Sequence, residues 1–215
     1  NRRWARENGL PTLEGHKKGY ENLHNIAEAA IERGVKYISA YIFSTENWNR
    51  TEEETSYLMN LALRIAERDV NELIEKNIKV VVLGGEDRVP KKVMKALRRA
   101  EDISKENTKA TLALCFNYGG YQEITDAVRK IIDSGIPADS ITPDIISSNL
   151  YAPEVPPVDL LIRTSGEQRI SNFMLWRIAY AEFLFVDKHW PAFSIEDLDA
   201  ALADYANRHR RFGGN

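Results

Sequence analysis

What this 215-residue chain lacks removes several chemistries at the outset. It has one cysteine, Cys115, inside an apolar run, so no disulfide can form within the chain and a small core residue is the expected role. The histidines are scattered, and no Cys/His cluster has the spacing of a zinc site. Gly9 and Gly15 are too far apart before His16-Lys17 to meet the phosphate-loop pattern. The absence of Gly-x-Gly-x-x-Gly weakens a dinucleotide reading, and the absence of Gly-x-Ser-x-Gly removes support for a hydrolase elbow. No Asp-Asp-x-x-Asp cluster is present to gather magnesium. Net charge is −3, so no global pull toward nucleic acid exists, and any anion site must be a local gathering of Arg, Lys and His. No apolar run approaches the ~20 residues of a membrane span, and no signal peptide is visible. The expected location is therefore cytoplasmic.

What is present reads as a packed α/β protein. Hydrophobic residues make up 43% and charged residues 28%, which is enough to build a core. β-Branched and aromatic runs at 35–43, 78–83, 110–116, 158–162 and 181–186 predict strands. Between them, helical periodicity predicts a helix from His16 that Gly34 ends, and a long one over 52–76. Further helices are expected from Pro90 as an N1 residue to 106, over 121–133, 144–150 and 194–210, and a helical segment through 170–176. Residues 1–12 predict a short basic helix or loop. Strands alternating with helices argue for a mainly parallel central sheet, and no repeat or linker divides the chain, so one domain is expected.

Strand ends carry the polar residues. The segments 44–50, 117–120 and 163–171 each follow a strand, and in a parallel sheet all such ends lie on one edge, where ligands bind. They would line one pocket, with Arg3 and His16 as candidate additions. Arg163, Arg169 and Ser171 offer charge and directed donors that suit a phosphate or diphosphate. An equally good reading is a solvated loop whose arginines pair with Glu167. Arg2, Arg3 and Arg6 beside Trp4 form either an anion platform or an exposed helix start. Glu182 inside an apolar run implies either a metal or an ion pair with a nearby arginine. The acids Glu52, Glu53 and Glu54 after Thr51 are a helix start rather than a metal site. Residue types and spacing alone thus stop at an anion-binding α/β domain with enzymatic character.

The chain also resembles a known family, the cis-prenyltransferases: undecaprenyl diphosphate synthase and its relatives. The likeness runs over essentially the whole sequence. It rests on Asn1-Arg-Arg-Trp-Ala5, Gly15-His16-Lys17, Phe43-Ser-Thr-Glu-Asn-Trp-Asn-Arg50 and Asn117-Tyr-Gly-Gly120. Ile162-Arg-Thr-Ser-Gly-Glu-Gln-Arg-Ile-Ser-Asn172, Ala179-Tyr-Ala-Glu182 and the close at Arg210-Arg-Phe-Gly-Gly214 complete it. The resemblance implies a homodimer of α/β subunits, each with an apolar tunnel below a diphosphate site. The implied reaction joins isopentenyl diphosphate to an allylic prenyl diphosphate with cis geometry, using Mg²⁺, with loose peripheral membrane contact a further expectation.

Carried over residue by residue, Arg163, Arg169 and Ser171 hold the isopentenyl diphosphate. Arg3 and His16, with backbone amides near Asn1, face the allylic diphosphate. Asn47 and Ser44 lie near the reacting carbons. Arg50 supports that loop, Trp48 packs rather than reacts, and Trp4 completes the substrate-binding set. Glu182 matches the magnesium-associated glutamate, and Arg211 and Gly213 match an element that reaches the partner's site. The family's motif is Asp-Gly-Asn, and the sequence begins at its Asn, so a preceding strand and a metal-binding Asp are expected upstream of Asn1. Thr12 stands where many members carry an arginine. Ile42 stands where alanine is common on the tunnel wall, so a product shorter than the long bacterial ones is expected. A different prenyl acceptor, or a non-catalytic partner subunit, are the alternative readings.

Overall fold

The computed structural model describes residues 1–209. The described chain falls into two compact units. The first comprises Asn1–Val35, Pro157–Ser171 and the described residues from Arg177 onward; the second comprises Lys36–Pro156 and Asn172–Trp176.

The second unit is built on a parallel sheet ordered β1-β3-β2, with β1 Tyr37–Ser44, β2 Ile78–Leu83 and β3 Ala110–Tyr118. Central β3 is buried along its whole length, as a strand covered on both faces should be, and Cys115 is fully enclosed within it. Helix α5 (Lys91–Ser104) turns Val93, Met94, Leu97 and Ala100 inward. The predicted helix over 52–76 is helical throughout, as α3 (Glu52–Arg64), a π turn (Ile65–Asp69) and α4 (Val70–Glu75). Thr51 caps α3 by accepting from the Glu54 amide at 3.3 Å, so the acid run is a helix start. Pro90 is the N-cap of α5 rather than its first helical residue. Helices α6 (Gly120–Asp133) and α7 (Pro143–Asn149) complete this unit.

The first unit holds α1 (Arg2–Glu7), α2 (Thr12–Glu32), a parallel pair β4 (Leu160–Arg163) and β5 (Glu182–Phe185), and α8 (Ile195–Ala206). All strand pairs are thus parallel, as expected, and they are shared between a three-stranded and a two-stranded sheet. A capping box between Ser194 and Asp197 starts α8. Asn22 of α2 donates to the carbonyls of Trp190 and Phe193 at 2.7 and 2.9 Å, and the Trp190 indole returns a bond to the Gly19 carbonyl at 2.7 Å.

One expected element is absent. Residues 170–176 are not helical, and Ser171, Asn172 and Met174 have φ of 50°, 64° and 47°. The reason lies in α6, whose first amides need acceptors. Asn172 supplies them: its carbonyl accepts from Gly120 at 2.7 Å and its side chain from Tyr121 at 2.9 Å. A helix through Asn172 would withdraw both. Among the described residues no helix is long and apolar enough to cross a membrane.

Candidate active site

In the first unit, β4 ends at Arg163 and β5 at Phe185, and these residues pair in register. The segments that follow therefore leave the sheet from the same C-terminal edge. They are laced together: Val186 N donates to Arg163 O at 2.8 Å, Gly166 N to Val186 O at 2.9 Å, and Ser165 N to Lys188 O at 2.9 Å. Ser165 and Gly166 take φ of 75° and 65° to make the turn; glycine adopts this freely, whereas serine does so under strain. Arg163 sits at the strand end with its Nε nitrogen buried.

Glu167 gathers two arginines from separate elements. Its carboxylate is bound by Arg169, and Arg3 of α1 reaches it at 2.7 Å while also donating to the Ser165 carbonyl at 3.3 Å. The hydrogen bond from Arg169, with the charges of Arg169 and Arg3, holds the Glu167 carboxyl below its usual range. The pairing reading holds for Arg169 of this loop, and Arg3 from α1 joins it on the same carboxylate. Two guanidiniums against one carboxylate leave a positive excess, and each fork offers more donors than Glu167 accepts.

Helix α1 is seated by its N-cap residue, Asn1. A side chain at Gly15 would collide with the Asn1 carbonyl, and one at Gly19 with the Asn1 amide group. Those two glycines of α2, one helical turn apart, leave the groove that Asn1 fills. His16 beside them is buried, Trp4 is half-buried, and the Trp4 carbonyl accepts from Asn8 at 2.8 Å. Ser171 lies exposed at the end of the arginine loop.

Glu182 is placed differently from that loop. It opens β5 opposite Leu160, three positions before the Arg163–Phe185 pair, or roughly 10 Å along the strand. It is partly exposed rather than buried, and Arg208 binds it at 2.9 Å. The Glu182 charge is therefore met by an ion pair. Among the described residues no group of three His, Cys, Asp or Glu side chains is disposed to hold a metal. Mg²⁺ usually takes one or two carboxylates plus substrate phosphates and water. The described residues offer Glu182, already committed to Arg208, so they do not by themselves form a magnesium site. Arg211 and Gly213 lie outside the described residues.

The second unit has its own polar edge. β1 carries a bulge at Ile42, because Tyr41 and Phe43 pair with the successive residues Cys115 and Phe116, and Ser44 then pairs with Tyr118 past Asn117. Ser44 and Asn47 form a capping box that starts the turn Thr45–Asn49, with Asn47 accepting from the Ser44 amide at 3.2 Å. Trp48 packs against Phe43, lies 4.6 Å beneath the Arg88 guanidinium and donates to Asn117 at 2.7 Å, which makes it a packing residue. Asn117, at φ 48°, donates to the Gly85 and Asp87 carbonyls at 2.9 Å each. Arg50 binds the buried Glu54 at 2.8 Å. Partial burial pushes the Glu46 carboxyl upward, but hydrogen bonds from its own backbone, Asn172, Ser44 and Thr45 prevail and hold it below its usual range. The ends of β1 and β3 thus meet, with Asn172 joining them through Glu46 at 3.0 Å, whereas the segment 163–171 follows a strand of the other sheet, so the three segments do not leave one sheet edge as expected.

Sequence reasoning missed Asn172 as a tie in this cluster, and it missed His189, Ser165 and Glu7 in the first unit. A usable signal existed for His189: it follows β5 in the polar run Asp187-Lys-His, on the same edge as the Arg163 loop.

Known proteins resemble this chain over its whole length. Residues 1–213 match the family model described as "Putative undecaprenyl diphosphate synthase". An isoprenyl transferase of Thermotoga maritima is 44% identical, over 100% of this chain and 93% of its own. A ditrans,polycis-undecaprenyl-diphosphate synthase of Micrococcus luteus is 43% identical, over 100% of this chain and 88% of its own. Among solved structures, lavandulyl diphosphate synthase from Lavandula x intermedia, in complex with dimethylallyl diphosphate, superposes with a TM-score of 0.93 at 35% identity, covering 99% of this chain and 93% of that one. With this likeness over its whole length, and arginines gathered at a parallel sheet edge, the chain belongs to the undecaprenyl diphosphate synthase family, the cis-prenyltransferases.

Proposed function

We propose that this cis-prenyltransferase condenses isopentenyl diphosphate with an allylic prenyl diphosphate to give a longer (Z)-polyprenyl diphosphate. The observation that carries the reading is the Arg3–Glu167–Arg169 cluster on the C-terminal edge of β4 and β5. An allylic diphosphate ionises only if the charge growing on its leaving group is neutralised, and preorganised guanidinium donors do this. Arg163, Arg169 and Ser171 take the isopentenyl diphosphate, while Arg3 and His16 serve the allylic one. The allylic cation must be kept from water, which an apolar tunnel provides. Asn47 is a poor base, and a diphosphate oxygen of the substrate is the better acceptor for the departing proton.

Magnesium belongs to the same proposal only as an ion that would arrive with the substrate diphosphate and neutralise it, since Glu182 is paired with Arg208 and the described residues do not form a site for it. A homodimer is also proposed. Exposed Tyr180, Phe183 and Phe185 on and beside β5 supply an apolar surface for a second copy. Incubation of the purified protein with labelled isopentenyl diphosphate, a panel of allylic starters and Mg²⁺, with and without chelator, tests the reading by product sizing. Chelator-sensitive label in extended prenyl products is expected; label recovered only in the starting material overturns it.

A further inference from the structure

The imidazole of His189 joins two elements of the first unit. Its Nδ1 lies 2.9 Å from Ser165 Oγ in the arginine loop, and its Nε2 lies 2.9 Å from Glu7 Oε2 at the end of α1. The ring is well covered, with 16% of the side chain exposed. Arg3 and Glu7 stand one turn apart on α1 and so share a face. Helix α1 thus meets the arginine loop twice: through Arg3 to Glu167 and the Ser165 carbonyl, and through Glu7 to His189 and the Ser165 hydroxyl. One attachment leaves a short helix free to swing about it; two fix its rotation, and with it the direction of Arg3.

The anchor beneath His189 is firm. Its neighbour Lys188 binds Asp197 at 2.6 Å, and its other neighbour Trp190 binds the Gly19 carbonyl at 2.7 Å. Residues held this way on both sides suit a positioning role, because a functional geometry is only as exact as its supports. The chemistry of the ring is also suited to it. Neutral imidazole with its proton on Nε2 donates to Glu7 and accepts from the Ser165 hydroxyl; protonated imidazole donates at both nitrogens, and Ser165 Oγ accepts. Both forms keep the link.

We propose that His189 is a positioning residue that orients Arg3 and the Ser165 turn for an anionic diphosphate, acting through Glu7 and Ser165. The assignment rests on the reading of this loop as a diphosphate site. The test uses inorganic pyrophosphate as probe, with its Kd measured by calorimetry alongside KM and kcat for each diphosphate substrate. His189→Phe fills the same space without hydrogen bonds and should raise the pyrophosphate Kd ~10-fold, the scale of hydrogen bonds to charged groups, with KM rising more than kcat falls. His189→Gln keeps one donor and one acceptor and should recover most of the affinity. Combined with Glu7→Gln, the His189→Phe effect should be non-additive. Wild-type pyrophosphate affinity in His189→Phe, or additive effects in the double variant, overturns the assignment. Should His189→Phe not fold, the single and combined His189→Gln and Glu7→Gln proteins decide it by the same criterion. Failure of the unaltered protein to bind pyrophosphate or turn over would instead overturn the functional reading on which it rests.

Discussion

Glu167 decides how the arginine edge is arranged, since Arg3 and Arg169 would repel one another without it. Its folded-state pKa is depressed, so the grouping is complete above the ordinary carboxylate range and is lost as pH falls through the lower folded value. An NMR titration of the Glu167 carboxyl, assigned by difference from Glu167→Gln, should give a midpoint below ~4.3, the unperturbed value. A midpoint at or above that value would show that the arginines do not hold it in solution. Arg163, Arg169 and Ser171 were legible as a polar loop that follows a strand, because residue type and position carry that signal. Glu167 was legible only as their neutralising partner; its role as organiser needed Arg3 to arrive from the other end of the chain. The position of His189 on this edge was legible from the polar run after β5, but its link was not, because its two partners lie 24 and 182 residues away and no local pattern encodes such a contact.

At the scale of elements, α1 is placed by contact rather than by its own length. The glycine groove on α2 receives Asn1, so the helix carrying Arg3 is set down at its N-cap. Gly15→Ala should push α1 outward, cost about 1–3 kcal/mol as overpacking, and raise KM for the allylic substrate. Thermal melts and steady-state kinetics check this, and an unchanged melt with unchanged KM would contradict the seating. Strands β2 and β3 were readable from the sequence to within two residues, because buried parallel strands are continuous apolar runs. The π turn at Ile65–Asp69 was not, since no Gly or Pro marks it and its residues keep helical spacing. The segment 170–176 was misjudged for a clear reason: its apolar spacing is helical, but Asn172 is committed to the start of α6. Periodicity reports burial and is blind to such a cap.

For the whole molecule, net charge is −3, yet Arg3, Arg163 and Arg169 gather at one sheet edge, so the positive groups proposed to take the diphosphate are a local concentration that overall charge does not reveal. The family likeness was legible from motifs spread along the chain, and it supplied what spacing could not: the substrate class. The central claim is that this edge grips an isoprenoid diphosphate. Arg169 tests it most directly, because its side chain is 64% exposed and its removal leaves the packing intact. In steady-state assays of Arg169→Ala with isopentenyl diphosphate as the varied substrate, the account predicts a KM raised ~10-fold or more, as loss of a charge-assisted bond requires. A KM equal to that of the unaltered protein would contradict it.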